Sequence, residues 1–248
     1  MATVLATVLF WQAVVTHWHL PPYILPGPLV VGHVLATDWP ILSRALLITH
    51  EVTGYALVAA VALGLILAVI MSQSRWLEIA CFPFMVFMQV TPIIAIAPLV
   101  ILWVNNLTVG LLVCAWLIAF FPIMSNTMTG LQSTDPNLED LFELYGASRW
   151  QKLSQLRLPS ALPFFLAGVR IAGGLSLIGA IAAEFVAGTG GQGSGLAFAI
   201  LQAGYQMNIP RLFAALVLIA VSGLCIHLAL TYVSYLVLHR WHDGGQRK

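Results

Sequence analysis

Asp140-Leu-Phe-Glu-Leu-Tyr-Gly-Ala-Ser-Arg-Trp-Gln-Lys-Leu-Ser-Gln-Leu-Arg-Leu-Pro159 is a polar, mixed-charge island between long apolar runs. Asp135, Glu139, Asp140 and Glu143 precede Gly146, and Arg149, Lys152 and Arg157 follow it. Asp135-Pro136 is a helix start, and acidic residues early in a helix suit its dipole. Gly146 breaks that helix or lets it turn. Pro159 and Pro163 fit the entry to the next apolar helix. The segment 135–160 therefore predicts two short helices joined at Gly146 and bathed in water. An ordinary solvated loop, charged only for solubility, is the competing reading. Trp150 fits that reading poorly, because Trp is enriched at interface hot spots.

The rest of the chain explains why such an island matters. Of 248 residues, 60% are hydrophobic and only 8% charged, and the mean hydropathy is +0.94. A soluble domain carries roughly 25% charge, so much of this surface must face a lipid bilayer. A single membrane domain over residues 1–248 is the simplest organisation. The net charge of +1 argues against nucleic acid as a partner. Cys81, Cys114 and Cys225 all lie inside apolar runs without CxxC spacing, so they read as small buried hydrophobes rather than metal or redox groups.

About 20 mostly apolar residues cross the hydrocarbon. Six candidates satisfy this to differing degrees: 2–17, 50–71, 79–103, 107–130, 162–187 and 211–238. Unalternating apolar runs favour helices over a barrel. The first candidate is short. It lacks a charged leader and a cleavage site, and reads as a retained helix rather than a signal peptide. Leu20-Pro-Pro-Tyr-Ile-Leu-Pro-Gly-Pro28 holds four prolines in nine residues, which predicts a loop outside the hydrocarbon. Trp18, Tyr23 and Trp39 are its interface anchors. If the island is cytoplasmic, Arg75, Arg149, Lys152, Arg157, Arg240, Arg247 and Lys248 share its side, and Arg170 snorkels nearby. Only Arg44 and Arg211 fall opposite. Both termini are then cytoplasmic.

Four intramembrane positions stand out as pathway candidates. Gln89 and Pro92 lie in the third candidate helix with Pro98, where the prolines free the carbonyls of Met88 and Ile94. Such a helix is either kinked for packing or bent along a watery path. Glu184 is a carboxylate at membrane depth, which rarely faces lipid. It is a structural partner of a neighbouring helix, a gate, or an interfacial group. Asn126 is expected to bond across to another helix, and His227 reads as a packed or hydrogen-bonded residue rather than a proton relay. His50 and Glu51 read as interface residues.

The island's spacing also resembles the EAA loop of ATP-binding-cassette (ABC) importer permeases. Asp140 takes the acidic place, Gly146 the glycine, Leu156 the aliphatic and Leu158-Pro159 the close, while Leu141 and Phe142 replace two small residues. The likeness narrows to the nitrate/sulfonate/taurine importer permeases. Its further carriers are Leu25-Pro26-Gly27-Pro28, the run from Gln89 to Trp103, Phe121-Pro122 with Asn126 and Gly130, Leu162-Pro163 with Gly168 and Arg170, and Glu184 before a glycine-rich turn. Val104-Asn105-Asn106 departs from the family, which often has Gly after the aromatic.

The resemblance implies an all-α polytopic bundle of about six transmembrane helices with the type I importer permease fold, in the bacterial inner membrane. It implies that 135–160 is a coupling helix docking into an ATPase subunit, with Asp140, Glu143, Gly146, Ala147, Ser148, Arg149, Trp150, Leu158 and Pro159 at or near the contact. It implies a second permease copy and an extracytoplasmic solute-binding protein as partners. The solute would be a sulfonate, taurine, nitrate, bicarbonate or a small heterocycle such as a pyrimidine vitamin precursor.

No G-x-x-x-x-G-K-[ST] occurs, so ATP and Mg would belong to the partner ATPase and no cofactor to this chain. No HExxH, GxSxG or paired intramembrane carboxylates suggest catalysis or a metal. Gly188-Thr-Gly190-Gly-Gln-Gly193 matches G-x-G-x-x-G but follows a helix, and reads as a turn before a short return helix rather than a dinucleotide site. The alternative function is a secondary transporter or channel not powered by ATP. It would need ion-coupling groups in the membrane, and Glu184 alone is thin support. A membrane-bound enzyme or signalling anchor lacks any catalytic constellation.

Overall fold

The computed structural model describes residues 2–188 and 194–242. Its elements are α1 (Ala2–His17), α2 (Pro28–Thr37), α3 (Trp39–Ser72), α4 (Arg75–Val90), α5 (Ile93–Val104), α6 (Leu107–Gln132), α7 (Pro136–Leu144), α8 (Arg149–Lys152), a π-helical turn (Leu153–Arg157), α9 (Leu158–Ala187), α10 (Leu196–Tyr205) and α11 (Ile209–His242). No strand occurs among the described residues.

The centre is the crossing of α6 with α9, and α3 lies against both. Small residues bring the first two backbones together. A Cβ on Gly130 would meet the Ala161 Cα at 2.8 Å, and one on Gly179 would meet the Ala115 Cα at 2.8 Å. Ala119, Phe120, Ile123, Met124 and Ala172 fill this crossing with buried side chains. A second core, including Val31, Leu42, Leu196, Ile200 and Ala214, joins α2, α3, α10 and α11.

Among the described residues, four helical stretches are long and apolar enough to span: Trp39–Ser72, Leu107–Gln132, Arg149–Ala187 and Ile209–His239. The described residues thus give four such helices, or five with the bent pair below, beside the expected count of about six. The third candidate, 79–103, is not one helix. It breaks at Thr91-Pro92, where α4 and α5 meet with a bend of 100°, and makes a fifth span only if the pair is taken together. Pro92 is the N-cap of α5, since a residue without an N–H starts a helix more easily than it continues one. At 16 residues, α1 reaches only about 24 Å, short of the roughly 30 Å hydrocarbon.

The stretch read as a loop also differs. Turns occupy 20–27, but Pro28 begins α2, and α3 starts at Trp39, eleven residues before the expected start at 50, with Pro40 in its first turn. Both prolines occupy positions where a missing N–H costs nothing. Of the cysteines, Cys114 is buried, Cys81 half-buried and Cys225 exposed, so the last is a surface residue of α11. His227 is likewise exposed rather than packed.

Candidate functional site

Three places carry the chemistry. The first is the polar island. Asp135 accepts from the Asn137 N–H at 2.9 Å and opens α7. Gly146 then turns the chain with φ of +67°, a left-handed conformation that disfavours any residue with a Cβ. Ser148 and Gln151 form a reciprocal capping box that starts α8. The first short helix and the turn at Gly146 are as expected, but α8 is no separate second helix: it runs without a break through the π-helical turn into α9.

Two ion pairs fasten this lever. Arg157 grips Glu139 with both ends of its guanidinium, at 2.8 and 3.1 Å. Lys152 donates to Glu143. That hydrogen bond and the ammonium charge hold the Glu143 carboxyl below its usual range. Leu153 and Leu156 are buried beneath the lever. Its tip, by contrast, is bare and apolar. Leu144 and Tyr145 are each 84% exposed and Trp150 is 72% exposed. Beside them, Leu141, Phe142, Tyr145, Gly146, Ala147, Gln151 and Gln155 line a cleft of about 350 Å³. Asp140, Ser148 and Arg149 are exposed around this tip, while Leu158 and Pro159 lie half-buried at the root of α9.

The lever adjoins the base of α4. Glu139 and Arg157 share a cleft with Arg75, Glu78 and Gln132, and Gln132 donates to Glu78 at 2.8 Å. Arg149, Lys152 and Arg157 line a neighbouring cleft. Four of the cations assigned to one side thus cluster at one end of the molecule. At the opposite end Arg211 is matched by Asp38 at 2.6 Å.

The second place is the elbow. Phe87, Met88, Gln89, Thr91, Ile93 and Ile96 from α4, α5 and their junction face Leu117, Ile118 and Pro122 of α6 and Leu175 of α9 across a cavity of about 460 Å³. Broken backbone at membrane depth is tolerated only in protein or beside a cavity, and here it borders one. Of the four pathway candidates, Gln89 lines this cavity and Pro92 lies at the bend. Asn126 sits one turn along α6 from Pro122. Its amide donates to the Pro122 carbonyl at 2.8 Å, so the interhelical bond expected of it is replaced by one within its own helix.

The third place holds Glu184, away from the cavity. It is 3% exposed. Its carboxylate accepts from the Thr49 hydroxyl at 2.9 Å and from the Ala197 N–H at 3.0 Å. Thr49 in turn accepts from the Leu196 N–H at 2.9 Å. Two free N–H groups at the start of α10 are therefore satisfied by α9 and α3, a buried clasp. Gly195 leaves the room, since a Cβ there would collide with the carboxylate. The glycine-rich turn anticipated before α10 falls, at 189–193, outside the described residues; α10 is the short return helix expected after it. Sequence reasoning placed Glu184 but missed Thr49, whose hydroxyl does not stand out beside His50, Glu51 and Thr53.

The fold is that of a multi-pass helical membrane protein with a broken helix beside a cavity and a braced polar lever. Residues 60–238 match the family described as binding-protein-dependent transport system inner membrane component. The chain belongs to that family and is an ABC transporter permease. It is 37% identical to the riboflavin transport system permease protein of Chloroflexus aurantiacus, over 96% of this chain and 88% of that one. It is 34% identical to the formylaminopyrimidine transport permease protein of Halalkalibacterium halodurans, over 82% and 80%. Further relatives are named as permeases for aliphatic sulfonates, nitrate and taurine. Among solved structures, an amino acid ABC transporter crystallised with histidines shares the fold. The TM-score is 0.66 over 83% of this chain and 96% of that one, at 15% identity.

Proposed function

We propose that this chain forms the solute pathway of a bacterial importer driven by a separate ATPase, and that the α7–α8 lever couples the two. The observation carrying this reading is the contrast within 135–160: a braced base and a bare aromatic tip. A solvated loop has no use for Leu144, Tyr145 and Trp150 in water, whereas a docking helix does. Two ATPases would hold ATP and Mg, two copies of this chain would face each other, and an external binding protein would deliver the solute. Both termini would then lie in the cytoplasm with the cluster of Arg75, Arg149, Lys152 and Arg157.

The lever also has a route to the cavity. Movement at Trp150 passes through the Arg157–Glu139 pair to the cleft shared with Glu78 and Gln132. Glu78 stands in the first turn of α4, and the far end of α4 is the elbow at Thr91-Pro92. Closure of the ATPases would tilt α4 and reshape the cavity, giving alternating access. The solute is a small organic or inorganic anion, such as a sulfonate, taurine or nitrate, or a small heterocycle, on the strength of what the relatives are named for.

Affinity purification of the tagged chain in mild detergent tests this. A P-loop ATPase co-purifies with the native chain, and Trp150→Ala reduces its capture at least about tenfold, as for a hot-spot residue. Recovery of the folded chain without any ATPase, even after crosslinking, would overturn the reading in favour of a transporter not powered by ATP.

A further inference from the structure

The elbow cavity has a wall chemistry that discriminates between the two solute classes. Its polar side chains are Gln89 and Thr91, and the rest is Phe87, Met88, isoleucine, leucine and proline. Thr91 already spends its hydroxyl on the Phe87 carbonyl at 2.7 Å. Gln89 is therefore the wall's amide, offering both donor and acceptor.

Two lining residues also carry backbone carbonyls without a helical donor. Met88 and Ile118 both line the cavity, and the residues four positions on are Pro92 and Pro122. Neither proline has an N–H, so both carbonyls lose their usual helical donor. Carbonyl dipoles present partial negative charge. They suit a solute with N–H or amino donors and disfavour an anion.

No cation stands among the lining residues to compensate. Neither α5 nor α6 contains a charged residue, and those of α4, Arg75 and Glu78, lie in its first turn. On α9, Arg170 is five positions before Leu175, which places it about 140° around the helix. Moving an anion into an apolar site without a paired cation carries a heavy desolvation cost. Phe87 supplies an aromatic side chain to the wall, against which a flat ring packs well. The volume suits a small organic molecule.

We propose that this cavity is a binding station for a neutral, planar nitrogen heterocycle bearing N–H or amino donors, with Gln89 as its specificity-determining residue. The proposal rests on the permease reading and narrows its solute. It assigns part of the selectivity to the membrane subunit rather than to the binding protein alone.

The test uses the assembled permease–ATPase complex in lipid nanodiscs, without binding protein. Riboflavin is followed by its fluorescence, and a radiolabelled aminopyrimidine, taurine and nitrate by equilibrium dialysis. At least one of the two heterocycles binds at least about tenfold more tightly than either anion. Gln89→Leu weakens that binding about five- to tenfold, the worth of one hydrogen bond, and Leu175→Trp fills the cavity and abolishes it. Gln89 is exposed to the cavity, so its replacement leaves packing intact and keeps the test open if Leu175→Trp fails to fold. Preferential binding of taurine or nitrate overturns the proposal, as does heterocycle binding indifferent to both substitutions. Either result leaves ATPase capture through Trp150 untouched, so failure here is separable from failure of the permease reading.

Discussion

The lever and the clasp both anchor carboxylates, in opposite surroundings. Glu139 and Glu143 stand at a wet surface and are paired with Arg157 and Lys152. Glu184 is sealed from solvent and is held by a hydroxyl and an N–H. The difference shows what each end tolerates. At the lever, water shares the work, and ion pairs tune geometry rather than stability. At the clasp nothing replaces a lost partner, so the same kind of residue becomes indispensable.

The largest effect is therefore expected at the clasp. Glu184→Ala strands the Ala197 N–H and the Thr49 hydroxyl, a loss on the order of 3 kcal/mol. Folded yield in detergent falls sharply, and the melting temperature of what survives drops. Melting of this variant together with the native chain would remove the clasp from any account of how α10 is held.

Placing the same substitution at two glycines sharpens the contrast. Gly195→Ala drives a methyl into the Glu184 carboxylate, so it lowers the melting temperature and loosens α10. Gly146→Ala meets nothing within 4 Å, and its φ of +67° is the only obstacle. It costs about 1 kcal/mol locally, leaves the bundle folded, and weakens ATPase capture by altering the turn. Equal thermal shifts at the two positions would show that the lever is packed more tightly than its geometry indicates.

The lever was legible in the sequence because it is local. Asp135-Pro136 marks a start, Gly146 a turn and Pro159 the entry to α9 within 25 residues, and charge marks the whole as wet. The clasp was only half legible. Glu184 announces itself as a carboxylate in an apolar run, but its partner Thr49 lies 135 residues away, and no periodicity links them. The elbow was read from Pro92 as a bend, yet its 100° angle depends on how α6 and α9 fill the space beside it. The Pro28 start of α2 was misread because proline both breaks helices and begins them, and only the residues after it decide.

A smaller effect follows at the fork between Arg157 and Glu139. Arg157→Lys keeps the charge but loses the two-point grip. Stability changes by no more than about 1 kcal/mol. The expected signature is in coupling: more ATP hydrolysed per solute moved in reconstituted vesicles, with ATPase capture unchanged. If transport per ATP is native in this variant, force does not travel through this pair.

The smallest effect belongs to Lys152 and Glu143, and it has a defined sign. Lys152 holds the Glu143 carboxyl below its ordinary value of 4.5 by hydrogen bond and charge. A carboxyl depressed on folding contributes stability above its unfolded pKa and loses it as pH falls through the lower folded value. The melting-temperature difference between the native chain and Glu143→Gln is thus flat from neutral pH to about pH 5 and closes below 4.5. Glu143 is fully exposed to screening, so about 1 M salt should close the same gap at neutral pH. The clasp at Glu184 has no cation to screen and should keep its melting difference in that salt. Matched salt responses at Glu143 and Glu184 would abolish the distinction between a wet ion pair and a buried hydrogen-bonded carboxylate.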